Sequence, residues 1–574
     1  MYNHIFGESG IYFSVLNTSV NNGLKPSLFG ETVYMKNEKK LIFDGVLLTA
    51  TTLALKTAGV AFSSALTTAA GAEAMGLSSQ ITAVYAFAVT AAAAGVNLGS
   101  MRLTAESRGA GRFSEIRAGV RCALRYCLRT GLVTSILLFI ITPFLALRLI
   151  GNYGAILPLR LLAAVIPCIS VAGAFHGYFN GVGRVYKSAA VNVAEQTVRI
   201  TVTLAGLYSL TGDGGALPSA LIDGVGGVIS LISSSFGAQS DRTALACLTV
   251  VIGSITAESF SCLLLAVLYL VDSKRYPSAD KSNRGSSRVL TSKFMGITVP
   301  MAVSALLRSG LSSAEHLLLP IGLRAYGSDA ALAQYGTVSG MAIPVILYPM
   351  ALMNSFAQLN TVDIAARVSA GETRECLKKR IGNGILFAVI YGIGCAALFR
   401  TFAYRIGDGL FMGAGAGEYI CALSGYVVLA YIDHIADSML KGLDQQRFVM
   451  RVNIIDSAIG LGCTALLVPA MGINGYVLSL YLCEFINCAA SLGRLIYLMG
   501  WLPQLGRGFA VTVSVAILSV KLLYVFGLGE IPTVPAIVIA ATVYFVSVAF
   551  VLNIIKMKEA GKTAVCGVHI SDKY

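Results

Sequence analysis

The sequence predicts an all-α polytopic membrane protein of about 14 transmembrane helices. It predicts two pseudo-symmetric six-helix lobes, related as a parallel repeat, plus two C-terminal helices. Three observations lead there. The first is composition: of 574 residues, 56% are apolar and 13% are charged, against about 25% charged in soluble domains. Sixty glycines lie outside that apolar share. So few charges cannot clothe a water-exposed surface, which excludes a soluble enzyme, a disordered chain and a nucleic-acid-binding domain. The second is a series of apolar runs near 20 residues, the length that crosses the hydrocarbon core. The third is an internal echo between the two halves of the chain.

In chain order the runs centre near residues 55, 92, 138, 167, 199, 257, 307, 346, 391, 430, 459, 485, 515 and 543. Residues 1–40 form an N-terminal extension, polar and unlike a signal peptide, which needs a basic start and an apolar core. Met35, followed by KNEKK and the first span, is the expected start, with a short polar tail as the alternative. Spans 1–6 occupy 41–271, a linker 272–290, spans 7–12 residues 291–500, spans 13 and 14 residues 501–555, and a tail 556–574. The stretch 217–236 is apolar but rich in Gly and Ser. It reads as part of a long outer loop, re-entrant or, if it spans, a fifteenth helix.

Charge sets the orientation. The net +14 is not a polyanion signal here, because Lys and Arg gather on cytoplasmic segments. With the N-terminus inside, about 33 of the 43 basic residues fall inside. They include Lys36, Lys39 and Lys40, the run Arg108, Arg112, Arg117, Arg121 and Arg125, and Arg374 with Lys378, Lys379 and Arg380. Both termini are then cytoplasmic. Trp501, the one Trp, fits an interfacial anchor at the end of span 12. Twelve Cys are scattered without a CxxC pair, which reads as small packing residues rather than a disulfide framework or metal site.

VNVAE at 191–195 is echoed by VNIID at 452–456, and at the same offset Gly181 is echoed by Gly442. Lys56 follows one basic cluster as Arg308 follows another, each a lone cation in mid-span. Six spans repeated by six keep their orientation, so the axis runs along the membrane normal, an arrangement suited to alternating access.

A charge at a helix centre costs roughly 2.5–3.5 kcal/mol on the mild insertion scale, so each demands a reason. Lys56 shares a helical stripe with Thr52, Gly59 and Ser63; Arg308 shares one with Ser304, Ser312 and Glu315. These two are candidates for a polar cavity. Arg199 follows Glu195 by one turn and reads equally as a self-neutralising pair. Asp456 and Asn453 share a face that suits a coupling-ion site or a polar helix contact. Asp437, one turn before Lys441, reads as a surface pair. The five His read as satisfied structural residues. No HExxH, GxSxG or Walker A pattern is present. GAGAG at 413–417 lacks the Lys of a phosphate loop and reads as a turn.

The segment GAEAMGLSSQITAVYAFAVTAAAAGVNLGSMRLTAE (71–106) resembles the second span of SpoVB-type members of the MOP flippase superfamily. HGYFNGVGR (176–184) with AEQTVRI (194–200) resembles the fourth and fifth spans. AEHLLLPIGL (314–323), MALMNSF (350–356) and MLKGLDQQ (439–446) resemble the seventh, eighth and tenth. The likeness runs from about residue 35 to 555 and extends to polysaccharide-biosynthesis and lipid II flippase relatives.

The resemblance implies two six-helix lobes, no enzymatic activity and no cofactor beyond Na+ or H+ as a candidate coupling ion. It implies export of lipid-linked saccharide precursors of cell-wall, peptidoglycan or polysaccharide type. The partners would be an undecaprenyl-pyrophosphate-linked saccharide, the lipid bilayer and envelope-synthesis enzymes, with no nucleic acid. It places Lys56, Arg308, Arg199, Arg102 and Glu315 at the substrate cavity, and Glu315, Asn453 and Asp456 at a coupling-ion site. The Asn-to-acid spacing of three departs from the four of those relatives. The alternatives are a drug/cation antiporter of the same superfamily, which would favour carboxylates in the N-lobe, and a polyprenyl-lipid membrane transferase.

Overall fold

The computed structural model describes residues 30–109, 112–211, 218–235, 242–274, 284–500, 514, 535 and 537–544. The described residues are helical with short turns, as the composition requires. In a bilayer core every backbone amide must be satisfied within its own segment, which a helix does. Most of the expected spans 13 and 14, Trp501, the first 29 residues, the middle of the 272–290 linker and the 556–574 tail lie outside the described residues.

The helices run α1 Gly30–Ala93, α2 Val96–Gly109, α3 Phe113–Phe144, α4 Ile156–Gly181, α5 Val185–Thr211, α6 Ser219–Ser235, α7 Arg242–Ser273 and α8 Arg284–Ala325. After them come α9 Ala331–Gly336, α10 Ile343–Ile346, α11 Met350–Ser369, α12 Arg374–Phe411, α13 Ala416–Ala422, α14 Tyr426–Gly442, α15 Gln446–Met471 and α16 Ile473–Met499. The first twelve expected centres each fall in or beside one of these helices. Eight helices among the described residues are long and apolar enough to cross a membrane, and ten if each bent pair counts as one span. That number treats Leu53–Gly109 as one element. Two breaks divide it: Gly71 sits at φ 80° and Gly95 at φ 73°, left-handed values that suit only glycine without strain.

Within the stretch 217–236, Ser219–Ser235 form a helix, α6, where a loop is expected. Its Val225, Ile229 and Ile232 pack on Val202 of α5 and on Leu245, Leu248 and Ile252 of α7. Tertiary packing of one apolar face outweighs the low helix propensity of its glycines. Its 17 residues reach about 26 Å, short of a full crossing.

The chain divides into two units: residues 1–344 with 446–483, and residues 345–445 with 484–574. In the first unit, Ile116 and Val120 of α3 pack with Phe175, Tyr178 and Phe179 of α4, Val191 of α5 and Leu265 of α7. Cys122 and Cys127 pack with Leu103, Ala174, Leu290 and Phe294, as small apolar residues do. In the second unit, α13 and α14 form a pair bent by 57°. The chain also breaks at Leu347–Pro349. There Tyr431 Oη donates to Ile346 O at 3.3 Å and Tyr391 Oη donates to Pro349 O at 3.2 Å. Tyr431 thus satisfies a carbonyl at the break, and Tyr391 adds a second donor to the Pro349 carbonyl, which also accepts from Leu352 N.

The GxxxG spacing of Gly177 and Gly181 brings α4 against α2. A Cβ at Gly177 would lie 2.7 Å from Ser100 Cβ; one at Gly181 would lie 2.5 Å from Met101 O and 2.8 Å from Thr104 Cβ. Ser100 Oγ donates to Ala174 O at 2.8 Å across the same contact. Gly177→Val is therefore expected to destabilise the protein by about 1–3 kcal/mol through overpacking. The readout is the thermal midpoint in detergent, and an unchanged midpoint would contradict this contact.

Candidate functional site

All the site candidates read from the sequence lie in the first unit. One enclosed group of charges is a triad. Arg199 Nη2 donates to Glu195 Oε1 at 2.7 Å, one turn back on α5, and to Glu258 Oε1 on α7 at 2.9 Å. The side chains are only 16%, 15% and 13% exposed, so little water competes with these contacts. The in-helix pair expected from the one-turn spacing is therefore half of the arrangement. Glu258, carried on another helix, completes it. Tyr85 of α1 brings its buried hydroxyl into the field of all three charges. No periodicity in the sequence links residues 199 and 258, so nothing in the sequence assigns Glu258 a role.

Glu315 of α8 forms a second polar group, with α15 and α16. Thr464 Oγ1 donates to Glu315 Oε1 at 3.2 Å and lies 3.4 Å from Ser479 Oγ. Gly460 of α15 passes close beside this carboxylate: a Cβ there would lie 3.4 Å from Glu315 Oε2, in ordinary van der Waals contact. Asp456, one turn before Gly460, lies within electrostatic reach of Glu315. Asn453 donates Nδ2 to Val449 O at 2.9 Å, a bond to its own helix. The structure thus brings Glu315 near Asp456 and adds Thr464 and Ser479, which sequence reasoning missed. Short hydroxyl residues are too common in membrane helices to be singled out without the fold.

Three candidate cations remain. Arg102 is exposed and pairs with Glu106 at 3.1 Å. Glu106 also meets Lys293 at 4.0 Å. Lys56 is half-buried on α1. Arg308 is exposed on α8 and has no hydrogen-bond or ion-pair partner among the described residues.

Asp437 is not the surface residue its spacing from Lys441 suggests: it is buried in the second unit and accepts from Ser491 Oγ at 2.9 Å. Asp433 one turn earlier accepts from Asn487 Nδ2 at 3.0 Å, and Tyr426 donates to Glu484 Oε2 at 3.0 Å. These contacts form a polar ladder between α14 and α16, the kind of interhelical contact that holds membrane helices together. Among the histidines, His176 Nδ1 lies 2.5 Å from Ser188 Oγ and His316 Nδ1 lies 3.2 Å from Tyr335 Oη, both engaged structurally.

The fold is shared with solved transporters of the MOP superfamily. The chain aligns with an inward-facing multidrug resistance MATE family transporter of that superfamily with a TM-score of 0.58 and 16% identity, covering 78% of this chain and 95% of the other. It aligns with the lipid II flippase MurJ in an inward closed conformation with a TM-score of 0.60 and 11% identity, covering 89% and 99%. In sequence it is similar to stage V sporulation protein B of Bacillus subtilis (strain 168), 20% identical over 516 residues, 87% of this chain and 92% of that protein. No family model matches the chain.

Proposed function

We propose that this protein is a flippase that exports a lipid-linked saccharide precursor, of peptidoglycan or polysaccharide type, across the bacterial cytoplasmic membrane by alternating access. The observation that carries this reading over the drug antiporter is the state of the two N-lobe carboxylates of the triad. An organic cation needs carboxylates that are open to it, and Glu195 and Glu258 are both held by Arg199. Meanwhile Arg308 stands exposed in a membrane helix with no partner among the described residues. An exposed guanidinium offers forked donors to a pyrophosphate that has left water, and an ammonium such as Lys56 offers a point charge. The near full-length similarity to stage V sporulation protein B and the fold shared with a lipid II flippase support the same reading.

In this reading the substrate is an undecaprenyl-pyrophosphate-linked saccharide, the chain performs no bond chemistry, both termini are cytoplasmic, and envelope-synthesis enzymes act on either side of the transport step. Lys56 and Arg308 contact the headgroup, with Arg102 near the membrane surface. Arg199 anchors the triad, and its role is to hold the helices that frame the cavity.

The test is flipping of a fluorescent undecaprenyl-pyrophosphate-linked saccharide in proteoliposomes, with and without Na+ or H+ gradients. Transport by the wild type supports the reading. No transport of any such lipid by folded protein would overturn it in favour of the antiporter. Glu315, Asp456 and Asn453 are the proposed coupling-ion group. Glu315→Gln is expected to remove gradient dependence while downhill flipping persists. Unaltered gradient dependence in that variant would exclude Glu315 from coupling.

A further inference from the structure

Helix α3 carries a row of arginines that nothing in the transport reading uses. Arg117, Arg121, Arg125 and Arg129 recur every fourth residue, so they rise along one side of the helix. Arg121, Arg125 and Arg129 are exposed and Arg117 is half-buried. Arg117 Nη2 donates to Ser273 O at the end of α7. Arg121 Nε and Arg125 Nε each donate only to a carbonyl one turn back, at 3.3 Å. No carboxylate pairs with any of the four among the described residues. The basic patch at the start of α12 is different. There Asp363 takes both Arg367 at 2.9 Å and Arg380 at 2.8 Å.

The row continues upward as exposed apolar residues: Leu132 is 50% exposed, Ile136 58%, Ile140 68% and Phe144 60%. This side of α3 therefore faces lipid. Residues 130–147, between Arg129 and Arg148, carry no charge and span about 27 Å of helix, close to the hydrocarbon thickness. Arg129 then marks the edge of the hydrocarbon. The rungs Arg117 to Arg125 lie over the next ~18 Å, at and beyond the headgroup layer. Basic segments collect on one side of a membrane in general, but that bias fixes neither register nor pairing. Here the register is strict, no carboxylate among the described residues takes the forks, and the row runs on into a lipid-facing surface.

We infer that the Arg117–Arg129 row is a docking surface for the phosphodiester headgroups of anionic phospholipids in the adjoining leaflet. Each planar guanidinium holds two phosphate oxygens at once, which an ammonium does not. Each cation near an anionic leaflet strengthens the attraction by about fivefold. The aliphatic residues above receive the acyl chains of the same lipids. This surface is separate from the proposed cavity cations and stands or falls independently of the transported substrate.

The test uses native mass spectrometry of the full chain, with phosphatidylglycerol and phosphatidylcholine of identical acyl chains titrated against it. Wild type is expected to retain phosphatidylglycerol in preference. The variant Arg121→Gln/Arg125→Gln/Arg129→Gln is expected to reduce that preference more than about tenfold. A control of equal charge loss, Lys379→Gln/Arg447→Gln/Arg451→Gln, is expected to keep it. The Arg→Lys version of the row preserves charge and insertion, and is expected to retain only part of the preference, so it carries the test if the Gln variant fails to assemble. No preference in wild type, an undiminished preference in the row variants, or equal loss in the control would overturn the assignment.

Discussion

Arg199→Ala is expected to destabilise the first unit by about 3–5 kcal/mol, the usual cost of removing one partner from a buried ion pair. Arg199 is the sole cation bonded to Glu195 and Glu258 among the described residues. Its loss leaves two carboxylates between α5 and α7 with no counterion, in surroundings where an uncompensated charge is expensive. The expected readout is a sharply lowered thermal midpoint and poor recovery of monodisperse protein from membranes. Glu195→Gln is expected to be much milder, because Glu258 still meets the guanidinium. The triple variant Arg199→Met/Glu195→Gln/Glu258→Gln removes all the charge together and is expected to recover most of the lost stability. A midpoint for Arg199→Ala within a degree of wild type would show that the triad does not hold α5 to α7.

That triad marks the limit of what is legible in the sequence. Apolar runs alone locate most of the helices that the structure describes, because a membrane leaves the backbone few options. Glu195–Arg199 can be read because its members sit one helical turn apart. Glu258 is 59 residues away from Arg199, and only helix packing decides such a pairing. Thr464 and Glu315, 149 residues apart, are the same case. Asp437 misleads for a related reason: Lys441 lies one turn on in sequence, but burial against Ser491 of α16 is a tertiary property. In α6, local composition points to a loop while its packing partners on α5 and α7 decide for a helix. Polar residues are thus found in the sequence as individuals, and their partners come from the fold.

Arg308→Ala is expected to leave the protein inserted and folded while lowering flipping of an undecaprenyl-pyrophosphate-linked saccharide by at least about 30-fold. The structural half follows from its surroundings. Arg308 is exposed and has no partner among the described residues, so truncation strands no buried charge, and surface changes of this kind usually stay within about 0.5 kcal/mol. The functional half follows from charge. A pyrophosphate entering a low-dielectric passage loses hydration, and losing a charge-assisted, forked contact there costs about 2–5 kcal/mol, or roughly 30- to 4,000-fold. Arg308→Lys keeps the charge without the fork and is expected to retain intermediate activity. Lys56→Ala, on α1 of the same unit, is expected to reduce transport as well, by less, since one ammonium makes a single point contact. Thermal midpoints measured beside the flipping rates separate the two effects. Normal transport by both alanine variants would remove Lys56 and Arg308 from the substrate path, whereas lost transport accompanied by a lowered midpoint would assign them to the fold instead.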